Sequence, residues 1–262
     1  MAENAKKAAA DWIWDAWQRG EVLDDLPPEL KPLTRAEGYA AQACLPRPPH
    51  ERLAGWKIAA TSAAGQSHIG VDGPLAGRVF QHRVAQPGAT IPIKNNRMRV
   101  AEPEFAFRFG SRLAPRDTAY TVDEVLAHVS DLHLTLELPD SRFKDFANVG
   151  GPTLIADNAC AHDLVVAPAV TADWRAIDLA THAVTGHVAG RTERDGTGAN
   201  VLGDPRVALT WLVNELSALG EEVGTGLLVT TGTTMVPLEI VEGDDVMADF
   251  GALGQVQVHI AA

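Results

Sequence analysis

Residues 99–109, Arg-Val-Ala-Glu-Pro-Glu-Phe-Ala-Phe-Arg-Phe, constrain this chain more than any other segment. Alternation with a period of two puts Glu102, Glu104, Ala106 and Arg108 on one face and Phe105, Phe107 and Phe109 on the other. A strand with its aromatic side in a core is therefore expected. Two carboxylates then project the same way, roughly 7 Å apart for a rise of about 3.3 Å per residue, and they repel unless something cationic lies between them. A second run alternates Leu132, Leu134, Leu136 and Leu138 with His133, Thr135 and Glu137, which sets Glu137 on the face away from the leucines. Three hard oxygen donors from two strands, with positions left for water and a chelating substrate, suit Mg²⁺ or Mn²⁺ better than zinc. Spacing alone also fits, and more commonly means, an exposed strand face carrying ordinary surface glutamates.

The rest of the chain is organised around such strands. Short β-type runs at Thr90–Ile93, Glu102–Phe109, Leu132–Leu138, Leu227–Thr230 and Gln255–Ile260 are separated by Gly and Pro. Helices are expected at Ala5–Arg19, stopped by Gly20, and from a Thr34/Glu37 capping box to about Cys44, where Pro46, Pro48 and Pro49 end the run. Two more interrupt the β-rich part. One opens on a Thr121/Glu124 capping box; the other opens on Asp204-Pro205 and carries a stripe of Ala208, Trp211, Leu212, Leu216 and Leu219 up to Gly220. The expected fold is α+β: a helical N-terminal arm over residues 1–50, whose tryptophans must cover the body or a neighbouring subunit, and one compact β-rich core over 51–262. Regular βαβ alternation is absent, which disfavours a doubly wound parallel sheet.

Composition removes several classes. With 262 residues, 46% of them apolar, a sizeable core can be buried. The formal charge of −12 argues against nucleic acid or another polyanion as partner. No apolar run approaches a membrane span and the first residues lack a signal-peptide pattern, so a cytoplasmic, soluble protein is expected. Cys44 and Cys160 stand in no redox or metal spacing and read as small buried hydrophobes. Dinucleotide, phosphate-loop and nucleophile-elbow patterns are missing, and the histidines form no ligand pair.

Two further segments can carry chemistry. Lys57 lies in the small-residue and apolar run Gly55-Trp56-Lys57-Ile58-Ala59, where desolvation can lower a lysine's pKa enough for proton transfer near neutrality. A packed stem with its ammonium in water is the commoner alternative. Thr230-Thr231-Gly232-Thr233-Thr234 offers hydroxyls and backbone N–H groups suited to a carboxylate, or else is an ordinary turn after a strand.

Taken in order, these segments resemble the 2-oxopent-4-enoate hydratase and 4-oxalocrotonate decarboxylase family of the fumarylacetoacetate hydrolase superfamily. The resemblance rests on Gly55-Trp56-Lys57-Ile58 with Thr61-Ser62, Gly70-Val71-Asp72-Gly73-Pro74, Ala101-Glu102-Pro103-Glu104, Glu137 with Asp140-Ser141-Arg142, Ala156-Asp157-Asn158-Ala159 and Ala248–Gly254. It implies a fumarylacetoacetate-hydrolase-like β-rich core and a homo-oligomer. It also implies Glu102, Glu104 and Glu137 as ligands of Mg²⁺ or Mn²⁺, Lys57 as the acid–base residue, and Thr233, Asp157 and Asn158 as substrate-binding residues. The activity implied is addition of water to a 2-hydroxy-2,4-dienoate, giving a 4-hydroxy-2-oxo acid in meta-cleavage aromatic catabolism. Decarboxylation of a 4-oxalocrotonate-type acid is the alternative. Leu75-Ala76-Gly77, where the hydratases carry an aspartate, and the aromatic spacing of Asp140–Phe146 resemble the decarboxylases instead. A non-catalytic 2-oxo-acid-binding protein or assembly subunit is the expectation of another class.

Overall fold

The computed structural model describes residues 1–46 and 51–262. The expected boundary between arm and core, and with it Pro48 and Pro49, lies outside the described residues.

Thirteen strands are described: β1 (Leu53–Ala59), β2 (Leu75–Phe80), β3 (Val84–Ala85), β4 (Thr90–Pro92), β5 (Val100–Phe109), β6 (Val129–Leu138), β7 (Asp163–Val166), β8 (Ala183–Val188), β9 (Thr192–Thr197), β10 (Leu228–Thr233), β11 (Leu238–Glu239), β12 (Asp245–Asp249) and β13 (Gln255–Ala261). Among the described residues they form two sheets. The larger runs β2-β1-β10-β5-β6-β7-β3 with β11 added to β5, and the smaller runs β4-β13-β12-β8-β9. Most neighbours are antiparallel; β1–β10, β3–β7 and β4–β13 are parallel.

The aromatic face of β5 is the hinge of the packing. Phe105, Phe107 and Phe109 are all buried, with Phe105 edge-on to Phe250 beyond β12 (5.1 Å between centroids) and Phe107 edge-on to Trp174 (5.8 Å). The leucines of β6 join them, and β13 lies across β6 with Val256, Val258 and Ile260 inward. One face of the larger sheet is thereby sealed against the smaller. Burial of each such side chain removes apolar surface worth about 1.5–3 kcal/mol from water.

Six helices flank the sheets among the described residues: α1 (Glu3–Arg19), α2 (Arg35–Ala43), α3 (Ala63–Ile69), α4 (Val122–Ala127), α5 (Gly151–Ala156) and α6 (Pro205–Ala218). Gly20 ends α1 in the left-handed region at φ 64°, returning N–H groups to Ala16 and Trp17. The Thr121/Glu124 capping box is complete, whereas at α2 only half forms: Thr34 accepts from the Glu37 N–H, but the Glu37 carboxylate turns to Leu33 N (2.8 Å). On α6, Leu209 and Val213 join Ala208, Leu212 and Leu216 in the buried stripe, and Trp211 stays at its edge.

The N-terminal helices are docked on the body. α2 packs on α5 so closely that a Cβ at Gly38 would stand 2.5 Å from the Pro152 carbonyl oxygen. Gln42 donates from there to the carbonyls of Ala76 and Ile155. Of the tryptophans in α1, Trp17 donates to Asp157 (2.9 Å), while Trp12 is turned outward and is 48% exposed.

Candidate metal centre

In the β5–β6 ladder Glu102 faces Glu137 and Glu104 faces Thr135. Directly opposed antiparallel residues have Cβ atoms about 4.5–5.5 Å apart, so this register closes the gap that sequence alone leaves between the two strands. One carboxylate oxygen from each of Glu102, Glu104 and Glu137 lies within 4.8 Å of the other two. This is no exposed strand face: Glu104 is 0% and Glu137 2% exposed, and Glu102 is half-buried.

Lys57 reaches the cluster from β1. In register it pairs with Thr230 of β10, and its Nζ stands 3.2 Å from Glu137 Oε1, both side chains being almost wholly buried. The Glu104 carboxylate is held from β10: its Oε2 accepts from the Thr230 hydroxyl at short range and from Gly232 N–H at 2.9 Å. Thr230 in turn shares a hydrogen bond with Thr135 (3.1 Å). Gly232 has φ +102°, and a Cβ there would stand 2.1 Å from Thr61 Oγ1; this position demands glycine on both counts.

Charge is out of balance here. Fully ionised, three carboxylates against one ammonium would leave a deficit of two, in a place where each unpaired ion costs several kcal/mol. Glu104 Oε1 has no hydrogen-bond partner, and neither oxygen of Glu137 accepts one of sound geometry. Burial, and after it the Glu102 charge, pushes the Glu104 carboxyl up to about 8 despite its donors. Glu137 is raised well above the usual carboxylate range and Glu102 is also raised, in each case chiefly by burial, with Lys57 opposing. For Lys57, burial alone favours the neutral amine, but Glu137 and Glu102 outweigh it and the net direction is upward. The expectation of a desolvation-lowered lysine is thus reversed: the acids that surround it hold its proton. Buried, unsatisfied, all-oxygen donors with a charge deficit of two fit one hard divalent cation.

The remaining site expectations fare differently. Thr233 sits opposite Glu104 in the ladder, after a register shift from Thr230, and spends its hydroxyl on the Met235 carbonyl (2.9 Å). Asp157 and Asn158, expected to bind substrate, are engaged in holding the chain together. Asp157 accepts from Trp17 Nε1, Ser141 Oγ (2.6 Å) and Arg142 N (3.0 Å), and burial lifts it to about 6. The Asn158 amide accepts from Arg78 N (2.7 Å) and donates to Arg78 O (2.8 Å), an added rung on β2. Their hydrogen-bonding capacity goes to tying α1, β2 and the segment after β6 together. Asn158, Ala159 and Cys160 all have positive φ (57°, 49° and 61°), a left-handed turn that brings the buried Cys160 thiol into the field of Lys57. The hydroxyl and N–H donors expected of the 230–234 run are present, and the carboxylate that Thr230 and Gly232 hold is that of Glu104; Thr135, which alternation places beside Glu137 without a role, supports both by bonding the Glu104 carbonyl and the Thr230 hydroxyl.

No protein-family model matches the chain. It is 26% identical over 262 residues to a 2-keto-4-pentenoate hydratase of Paraburkholderia xenovorans, covering 99% of this chain and 96% of that protein. To a 4-oxalocrotonate decarboxylase of Pseudomonas putida it is 25% identical over 255 residues, 96% of this chain and 95% of that protein. Among solved structures, a 4-oxalocrotonate decarboxylase from Pseudomonas putida G7, complexed with magnesium and adipate, superposes with a TM-score of 0.89 at 23% identity, covering 99% of this chain and 98% of that one. The α+β, fumarylacetoacetate-hydrolase-like core expected from the motifs is the fold observed. Over nearly its full length, then, the chain is similar in sequence to a 2-keto-4-pentenoate hydratase and to a 4-oxalocrotonate decarboxylase, and it shares the fold of the latter's solved relative.

Proposed function

We propose that this chain is a divalent-metal-dependent lyase of small 2-oxo acids, and that its reaction is addition of water to a 2-hydroxy-2,4-dienoate. The observation that carries the proposal is the convergence of Glu102, Glu104 and Glu137 within 4.8 Å, with the Lys57 ammonium 3.2 Å from Glu137. Mg²⁺ or Mn²⁺, held by these three carboxylates, supplies a Lewis acid for the negative charge that develops on the oxygens of a bound 2-oxo acid. Thr230 and Gly232 fix Glu104 so that one oxygen stays turned toward the cluster. Lys57 is the proton carrier. It moves the enol proton to the chain terminus, giving the 2-oxo-3-enoate, and assists as water places hydroxyl on C4 and hydrogen on C3. The product is a 4-hydroxy-2-oxo acid. Full-length similarity to a hydratase supports this assignment, as do the magnesium and dicarboxylate bound by the decarboxylase of similar fold.

Decarboxylation of a 4-oxalocrotonate-type acid is the second possibility, and one observation favours it. The β2 residues opposite Lys57, Ile58 and Ala59 are Gly77, Ala76 and Leu75. No second proton-transfer group comes from that strand to activate water, and loss of CO₂ needs none.

Purified protein with Mg²⁺ or Mn²⁺ is expected to bleach the ultraviolet absorbance of a 2-hydroxydienoate, and EDTA or Glu104→Gln to stop it. Undiminished turnover in either control would reject the mechanism. CO₂ evolved from 4-oxalocrotonate, with no loss of the dienoate, would assign the decarboxylase; ligand binding without turnover of either would leave a binding protein.

A further inference from the structure

The face of the larger sheet that bears the acidic cluster continues past it. Next along the strands comes an apolar belt of Val79, Ala106, Leu164, Val166 and Leu228. Beyond the belt the same face opens into a cavity of about 410 Å³, to which Arg108 and His133 contribute from β5 and β6. Ligand pockets fall in the range of about 300–1,000 Å³.

The polar groups of this cavity are arranged rather than scattered. His133 is 6% exposed and turns Nδ1 to the Ala167 carbonyl (2.8 Å), which makes Nε2 the acceptor for Arg108 Nε (3.1 Å). Arg108 Nη1 donates to the Gly226 carbonyl (3.0 Å). The guanidinium is thus fixed by two neutral acceptors, which orient its charge without cancelling it. No Asp or Glu belongs to the cavity lining among the described residues, whereas exposed Arg52 stands at its rim. The acid nearest in register, Asp131 opposite Arg108, accepts from Ser130 Oγ (2.7 Å) and makes no ion pair with Arg108. In a chain of net charge −12, a ligand-sized cavity with an apolar floor and an oriented, unneutralised guanidinium is a site of opposite sign.

We infer that this cavity binds a small carboxylic acid with an apolar body, its carboxylate on Arg108 and its hydrocarbon against Leu164, Val166 and Leu228. The site is separate from the acidic cluster and does not depend on the proposed activity.

Calorimetric titration of the full chain in EDTA, which leaves no divalent cation at the acidic cluster to hold a carboxylate, tests this with hexanoate and benzoate against hexanol and benzyl alcohol. The carboxylates should bind at least tenfold more tightly than the alcohols, and Arg108→Gln should remove that tenfold advantage, as loss of a hydrogen-bonded charge partner does. A location independent of any variant comes from crystals soaked in 4-bromobenzoate, whose bromine should lie against Leu164 and Val166. Equal affinity for acid and alcohol, no binding, an advantage that survives in Arg108→Gln, or bromine found elsewhere would each overturn the inference.

Discussion

Strands β5 and β6 present two sites of opposite sign on one face. At one end Glu102, Glu104 and Glu137 crowd together with too little positive charge; at the other, Arg108 leans on His133 with too little negative. Ala106 and its apolar neighbours lie between them. The acidic end is largely buried, and its imbalance fits a partner that is small, hard and doubly charged. The basic end is open and roomy, and its single charge sits beside hydrocarbon, which calls for an amphipathic anion. One pleated surface can therefore carry two unlike recognition problems, because burial rather than residue type sets what each end will accept.

The largest effect is expected at Lys57. Lys57→Met removes the proposed proton carrier but none of the oxygens proposed to hold metal, so turnover of the dienoate should fall by about 10²–10⁴-fold, while Mn²⁺ affinity holds or rises. Loss of metal along with activity would mean that the lysine builds the site instead of working in it.

Removing metal sharpens the contrast through pH. Glu104 has a folded pKa of about 8 against an ordinary 4.5. The folded state therefore binds the proton more tightly than the unfolded one, and this contribution to stability is full below about 4.5 and lost as pH rises through 8. In EDTA the melting temperature should drop between pH 5.5 and 8.5; saturating Mg²⁺ or Glu104→Gln should flatten the slope. A slope indifferent to both would show that the cluster is not the source.

The belt gives the smaller effect. Leu164→Ala should cost about 2–5 kcal/mol, toward the lower figure because the side chain borders a cavity. Urea unfolding with Mn²⁺ present would report it, with metal affinity unchanged. A coupled fall in affinity would mean that the two ends are not separate.

Much of the acidic end was legible in the sequence. Alternation in Glu102–Phe109 and Leu132–Leu138 assigned both strands and the faces of all three glutamates, since a period of two is a local property. What alternation could not supply was the pairing of Glu102 with Glu137, a matter of register between distant segments, and with it the choice between a buried cluster and a solvated face. Neither a desolvation-lowered Lys57 nor one with its ammonium in water describes the folded chain, for the same reason: desolvation acts on one residue, but the carboxylates that outweigh it arrive from two other strands. Motif position carries no information on the hydrogen bonds that Asp157 and Asn158 make with Trp17, Ser141 and Arg78, because those partners come from distant segments. The hairpin β8–β9 passed unnoticed because Thr-Glu-Arg-Asp-Gly-Thr carries no apolar alternation, and the basic cavity because its lining comes from many separate segments.

Mn²⁺ titration followed by electron paramagnetic resonance, in the absence of any substrate, goes most directly to the centre of this account. One ion per chain should bind, with affinity lost in Glu104→Gln and in Glu137→Gln but kept in Asp157→Asn. Failure to bind, or binding indifferent to the two glutamine substitutions, would contradict it.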